Sequence, residues 1–123
     1  MDEELTIQQM AQISGLSAHT LRYYERAGLL PQHVGRNAAN GYRYYTQEDV
    51  IWLGFIKRLR ATGMPIRDVR RYVELSNQGE DTIAARLQLL KQHRDQVEEH
   101  LSEVEQHLSA INNKITHYER CSI

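Results

Sequence analysis

The chain has 123 residues, 41% of them apolar, with seven Tyr, one Phe, one Trp, a single cysteine and a formal net charge of −1. That length suits one compact domain plus one long element, and a lone Cys121 excludes an intrachain disulfide or an all-cysteine metal cage within one chain. No apolar run approaches a membrane span and the start, Met1-Asp2-Glu3-Glu4, is acidic rather than signal-like, so a soluble cytoplasmic protein without a membrane partner is expected.

The near-neutral total conceals a segregation. Residues 5 to 72 hold ten Arg or Lys against four acids, whereas residues 79 to 123 hold five against eight. A basic front and an acidic rear would orient the molecule on a polyanion, and the front would supply a salt-dependent attraction.

In chain order, Thr6-Ile7-Gln8-Gln9 reads as a capping box, with Thr6 capping and Gln9 reaching back. Ile7, Met10 and Ala11, with Ile13 as a further candidate, then form a short amphipathic helix. Ser14-Gly15-Leu16-Ser17 is a tight connection. Ser17 can cap a second helix, and Gly28 stands where a helix ends in a left-handed residue. At 100° per residue, Leu21 and Tyr24 point one way, with Thr20 beside them. His19, Arg22, Tyr23 and Arg26 point the other way. Two short helices joined by a Gly-containing turn make a helix-turn-helix. A donor-rich face of that size fits a DNA major groove, although such a face is also common on ordinary surfaces.

Asn40-Gly41 is a tight-turn signal followed at once by aromatics, so residues 32 to 45 read as a β-hairpin wing. Arg36 sits on one arm and Arg43 on the other, with Tyr42 beside it. A two-stranded hairpin must lean on the helices to persist. Thr46-Gln47-Glu48-Asp49 opens a third helix. It runs through Val50, Ile51, Leu53, Phe55, Ile56 and Leu59 and should supply the core. Lys57, Arg58 and Arg60 near its end would offset the helix dipole. Gly63-Met64-Pro65-Ile66 is a stop and restart. The fourth helix then carries Val69, Tyr72, Val73 and Leu75, with Arg67, Arg70 and Arg71 partly exposed.

After Asn77-Gln78-Gly79, no Gly or Pro occurs from Glu80 to Tyr118. Ile83, Leu87, Leu90, Val97, Leu101, Val104, Leu108, Ile111, Ile115 and Tyr118 recur in steps of four and three, with Arg94 in one seam position. That is a heptad seam on a helix nearly 60 Å long, from roughly 39 residues at about 1.5 Å each. With no second long helix to cover it, the economical partner is a second copy. The predicted division is a DNA-binding domain over 1–78 and a dimerisation helix with a short tail over 79–123. Leu87, Leu90, Val97, Leu101, Val104, Leu108, Ile111 and Ile115 are the pairing residues.

Three stretches in this order, Thr20-Leu21-Arg22-Tyr23-Tyr24-Glu25-Arg26-Ala27-Gly28-Leu29-Leu30, Asn40-Gly41-Tyr42-Arg43-Tyr44-Tyr45 and Ala61-Thr62-Gly63-Met64-Pro65-Ile66, resemble the MerR family of bacterial transcription regulators. The resemblance covers essentially the whole chain. It implies a mainly α fold, a winged helix-turn-helix followed by an antiparallel coiled-coil dimer. It also implies binding to double-stranded promoter DNA between the −35 and −10 elements, and activation by distorting the spacer so that RNA polymerase engages both. Deformation of that kind costs energy that a clamped dimer can offset. By the same resemblance Ser17, His19, Thr20 and Arg22 lie at or near the groove. His19 and Arg22 are the base readers, while Tyr23, Tyr42, Arg43 and Arg36 hold phosphates.

The resemblance says little about an effector. Metal-sensing relatives use cysteines around the dimer helix and a terminal loop, and drug-sensing relatives add a ligand domain. Here the short form without such a domain is expected, with no cofactor and no metal. A thiol-bearing branch that answers electrophiles has its cysteine near the position of Arg58. Cys121 is a sensor candidate with only Arg120 as a basic neighbour, and a near-terminal thiol is more often incidental. His93, His100 and His107 repeat every seven residues, roughly 10.5 Å apart. That is too far for two to share a metal within a chain, so they read as solvated flanks of the seam. No nucleophile elbow, phosphate loop or HExxH pair points to an enzyme. A plain repressor, an architectural DNA binder and a coiled-coil adaptor remain the alternatives to an activator.

Overall fold

The computed structural model of the chain describes residues 4–30, 35–36 and 43–122. Its elements run β1 (Leu5–Thr6), α1 (Ile7–Ser14), α2 (Ala18–Arg26), β2 (Gly35–Arg36), β3 (Arg43–Tyr45), α3 (Gln47–Ala61), α4 (Ile66–Gln78), a 3₁₀ turn (Glu80–Thr82) and α5 (Ile83–Cys121). The chain divides into two compact units, Met1–Leu89 and Leu90–Ile123. No described helix is long and apolar enough to cross a membrane.

In the first unit, local chemistry sets the helix starts. Thr6 Oγ1 accepts the Gln9 N–H at 3.1 Å while Gln9 Oε1 accepts the Thr6 N–H at 2.8 Å, the reciprocal cap read from the sequence. Thr46 and Asp49 repeat the device at α3, with Thr46 N–H donating to Asp49 Oδ2 at 2.9 Å and Asp49 N–H to Thr46 Oγ1 at 3.3 Å. Asp49 is buried, so this second box lies inside the fold. Thr46→Ala is therefore expected to lower stability by about 1 kcal/mol. The midpoint of chemical denaturation reads that loss, and an unchanged midpoint would mean that the cap carries no weight.

The strands form a three-stranded antiparallel sheet in the order β1-β3-β2. Arg36 pairs with Arg43 across β2 and β3, as the hairpin reading placed them on opposite arms. The Asn40-Gly41 turn lies outside the described residues. The third strand is a finding the sequence did not suggest: Leu5 pairs with Tyr45 and Thr6 with Tyr44. A two-residue strand carries too little alternation to be read alone, and pairing with β3 anchors the hairpin to the start of α1.

Leu5, Met10, Leu21, Leu30, Tyr45 and Leu53 form one buried cluster, with Ile7, Ala11, Leu16, Tyr24 and Val50 packed on it. Ile56, Leu59, Met64, Val69 and Val73 are buried as well. Helix α3 is less wholly internal than its composition suggests. Leu53, Ile56 and Leu59 are buried, but Ile51 is 74% and Phe55 36% exposed. Residues 51 and 55 are four apart and share the outward face. Trp52 stacks on Tyr72 of α4 at 5.6 Å, and Phe55 meets the same ring at 5.8 Å. Ile13 also faces outward, at 51% exposed.

In the second unit α5 continues without interruption to Cys121. Its apolar stripe is half-buried at Leu90 and Val97 and open from Leu101 onward, from 45% exposed at Val104 to 63% at Tyr118.

Candidate nucleic-acid interface

Helix α2 is held as a platform by its two ends. At the start, Ser17 Oγ accepts the Thr20 N–H at 3.1 Å and donates to Thr20 Oγ1 at 3.0 Å. Its hydroxyl is therefore engaged in the cap, with one lone pair left for another donor. At the far end Ala27 is the capping residue and Gly28 takes φ +76°, one position later than a simple terminal glycine. A side chain is strained at that φ. Ala27 N–H donates to Tyr23 O at 2.8 Å and Leu29 N–H to Tyr24 O at 2.9 Å, closing the last turn.

The faces divide as the periodicity requires. Leu21 is fully buried and Tyr24 packs on the core. His19, Arg22, Tyr23 and Arg26 are exposed on the other side, while Thr20 is half-buried. Tyr23 is 42% exposed and its ring tilts against Tyr24 at 6.1 Å. This leaves two guanidinium groups, an imidazole and a phenol on one short helix face, backed by a rigid core.

Three long-range hydrogen bonds grip the segments before and after α2. Lys57 Nζ donates to Ser14 O at 2.6 Å, at the turn between α1 and α2. Arg70 Nε donates to Ala27 O at 2.9 Å and Trp52 Nε1 to Leu29 O at 3.3 Å. Sequence reading assigned Lys57 to the helix dipole and left Arg70 as a surface charge. Both instead hold carbonyls that α1 and α2 leave open at their C-terminal ends. Arg60 instead donates through Nη1 to Met64 O at 2.7 Å, in the turn between α3 and α4. Of the basic residues in the front, those on α2 face outward, while Lys57 of α3 and Arg70 of α4 hold the turns at its two ends. The signal that could have found this is the Gly15 and Gly28 pair, since each left-handed stop exposes carbonyls in need of a donor.

The wing candidates are less completely placed. The backbones of Arg36 and Arg43 lie opposite one another in the sheet, and Tyr42 falls outside the described residues. On α5, Leu87, Leu101, Val104, Leu108, Ile111 and Ile115 are exposed, while Leu90 and Val97 are half-buried. Arg94, in its seam position, donates to the neighbouring Asp95 Oδ1 at 3.2 Å. Cys121 is exposed, with Sγ 3.8 Å from His117 Nε2. His100 and His107 are solvated as expected, but His93 is only 9% exposed. Among the described residues no group of three or more His, Cys, Asp or Glu within the chain could hold a metal ion.

Comparison with known proteins agrees with this layout. A family model described as MerR HTH family regulatory protein matches residues 5–76, and a second, described as MerR, DNA binding, matches residues 50–113. An uncharacterized HTH-type transcriptional regulator of Haemophilus influenzae is 36% identical over 115 residues, 94% of this chain and 84% of that one. The HTH-type transcriptional regulator AdhR of Bacillus subtilis is 39% identical over 93 residues, 76% of this chain and 65% of that one. Among solved structures, HiNmlR, a MerR family regulator lacking the sensor domain and bound to promoter DNA, gives a TM-score of 0.87 at 35% identity. That match covers 96% of this chain and 92% of the other. A MerR family regulator from Listeria monocytogenes gives 0.88 at 36% identity, over 94% and 86% of the two chains.

Proposed function

The chain belongs to the MerR family of helix-turn-helix regulatory proteins, and from that premise we propose a promoter-binding homodimer in which α2 enters the major groove. The observation that carries the reading is the α2 face, donor-rich outside and locked at both ends. Arg22 and His19 read base edges, Ser17 and Thr20 lie beside them, and Tyr23, Tyr42, Arg43 and Arg36 hold phosphates. A relative of the same fold is bound to promoter DNA, which supports DNA as the partner. We place residues 1–78 in DNA binding and residues 79–123 in pairing, and read the protein as a cytoplasmic regulator without catalysis.

The pairing residues also favour one direction. In a parallel pair Arg94 would meet its own copy within the apolar seam. The flanks argue the other way, because a parallel pair would set His93, His100 and Lys114 near the partner's Glu98, Glu105 and Glu119. Exposed pairs of that kind contribute about 0–1 kcal/mol each. Two guanidinium groups in one apolar layer repel each other, and pairing each Arg94 with an apolar residue avoids that, which favours an antiparallel pair. Centred near Leu101, that pair sets Leu90 against Ile111, Val97 against Val104 and Arg94 against Leu108 of the partner.

Two heads held at a fixed separation can read two half-sites and strain the DNA between them. We read the outcome as activation through spacer distortion, with RNA polymerase as the beneficiary. In vitro transcription from a footprinted promoter tests it. Raised transcript on addition of the protein is the expected outcome, and repression alone favours a plain repressor. In the wing, Arg43→Ala should weaken binding to all sequences alike and reduce the slope of log affinity against log salt by about 1. A loss confined to one sequence would make Arg43 a base reader instead.

A further inference from the structure

We infer that Lys57 of α3 and Arg70 of α4 are positioning residues for base reading: without contacting a base, they set how sharply α2 separates its target from other DNA. The inference rests on α2 as the groove helix, as proposed above.

The reading helix has little of its own to fix its tilt. It is nine residues long, with Leu21 as its buried residue and Tyr24 packed on the core. An anchor near the middle holds such a helix in place but leaves its inclination to its ends. A cation from a different helix meets each end. Lys57 Nζ donates to Ser14 O at 2.6 Å in a part-buried bond, and stands 3.9 Å from where a Cβ on Gly15 would lie. Arg70 Nε donates to Ala27 O at 2.9 Å, with its Cγ 3.8 Å from where a Cβ on Gly28 would lie. Both glycines take φ +76°. Charge-assisted bonds of this kind are among the stronger ones in a fold.

Tilt matters unequally to the two parts of DNA binding. Hydrogen bonds to a base edge weaken steeply once they leave line, so a tilted α2 would misplace Arg22 and His19. Attraction to the phosphate backbone carries no sequence information and tolerates such a shift. Loss of either clamp therefore falls on the target sequence and spares random DNA.

The test measures affinity for the footprinted promoter and for random DNA over a range of salt, using full-length protein. Lys57→Met and Arg70→Met keep an apolar stem and remove the charged donor. Each should bind the target about five- to tenfold more weakly and random DNA within about twofold of the parent. The slope of log affinity against log salt should stay within about 0.3 of the parent's. In an Arg22→Ala background Lys57→Met should lose only about twofold, because the contact it positions is already gone. Lys57→Arg, which keeps a charged donor, should recover most of the target affinity. Arg58→Met, an exposed cation one residue along α3, is the control for charge and should leave discrimination unchanged. If Lys57→Met fails to fold, Arg70→Met, at the exposed bond, carries the test.

Equal losses on target and random DNA, with the slope reduced by about 1 for each head, would make the cations phosphate contacts and overturn the inference. An unchanged target affinity would overturn it too, as would the same loss with and without Arg22. If Arg22→Ala itself leaves target preference intact, the groove reading of α2 fails, and the inference with it.

Discussion

Leu101→Lys is expected to sediment as a monomer under conditions in which the parent protein is a dimer. Leu101 is 55% exposed in the single chain and sits at the centre of the seam, where the proposed antiparallel pair would set it against its own copy. The substitution places two ammonium groups in one apolar layer. Desolvating either without a partner costs several kcal/mol, about 3–5 on the scale of broken buried pairs. No nearby acid stands inside the seam to compensate, because the acids Glu98 and Glu105 lie on its flank. DNA affinity should fall by about a hundredfold or more, since the second half-site then loses its effective concentration. The head should keep its thermal transition, because its core is built from residues 5 to 75. Glu99→Lys, on the face away from the seam, is the matched control and should leave the dimer whole. An intact Leu101→Lys dimer would show that the seam is drawn on the wrong face.

Arg22→Ala should weaken binding to the target site by about 1–3 kcal/mol while relaxing discrimination at the base pair it reads. Arg22 is exposed on α2 while Leu21, its neighbour, is fully buried, so removal of the side chain leaves the packing of the helix alone. Arg22→Lys should recover charge but little specificity, since an ammonium lacks the planar two-donor fork that matches a guanine edge. Competition against random DNA at fixed salt separates the terms. Equal affinity of parent and Arg22→Ala for target and random DNA alike would remove Arg22 from the groove.

The assignment of roles within the basic front is where reading and structure diverge most. Arg22, Lys57 and Arg70 are all cations of the front by sequence. In the fold, Arg22 faces outward, whereas Lys57 and Arg70 donate to carbonyls at Ser14 and Ala27. A charge count over residues 5 to 72 thus overstates what reaches a phosphate. Similarly, Ile51 and Leu53 read alike as apolar residues of α3, yet one is open and the other buried.

Local chemistry was legible in the chain itself. The capping box at Thr6, the helix start at Thr46, the Ser17 cap, the restart at Pro65 and the apolar seam of α5, interrupted at Arg94, each depend on residues within a turn or a heptad of one another. Their geometry follows from helix periodicity and needs no knowledge of distant segments. Tertiary structure alone decided the pairing of Leu5 with Tyr45 and the bracing of the turns beside α2 by Lys57, Trp52 and Arg70. Those contacts join residues 23 to 43 positions apart. A donor's choice between solvent, a phosphate and a stranded carbonyl is settled only when packing brings that carbonyl within reach.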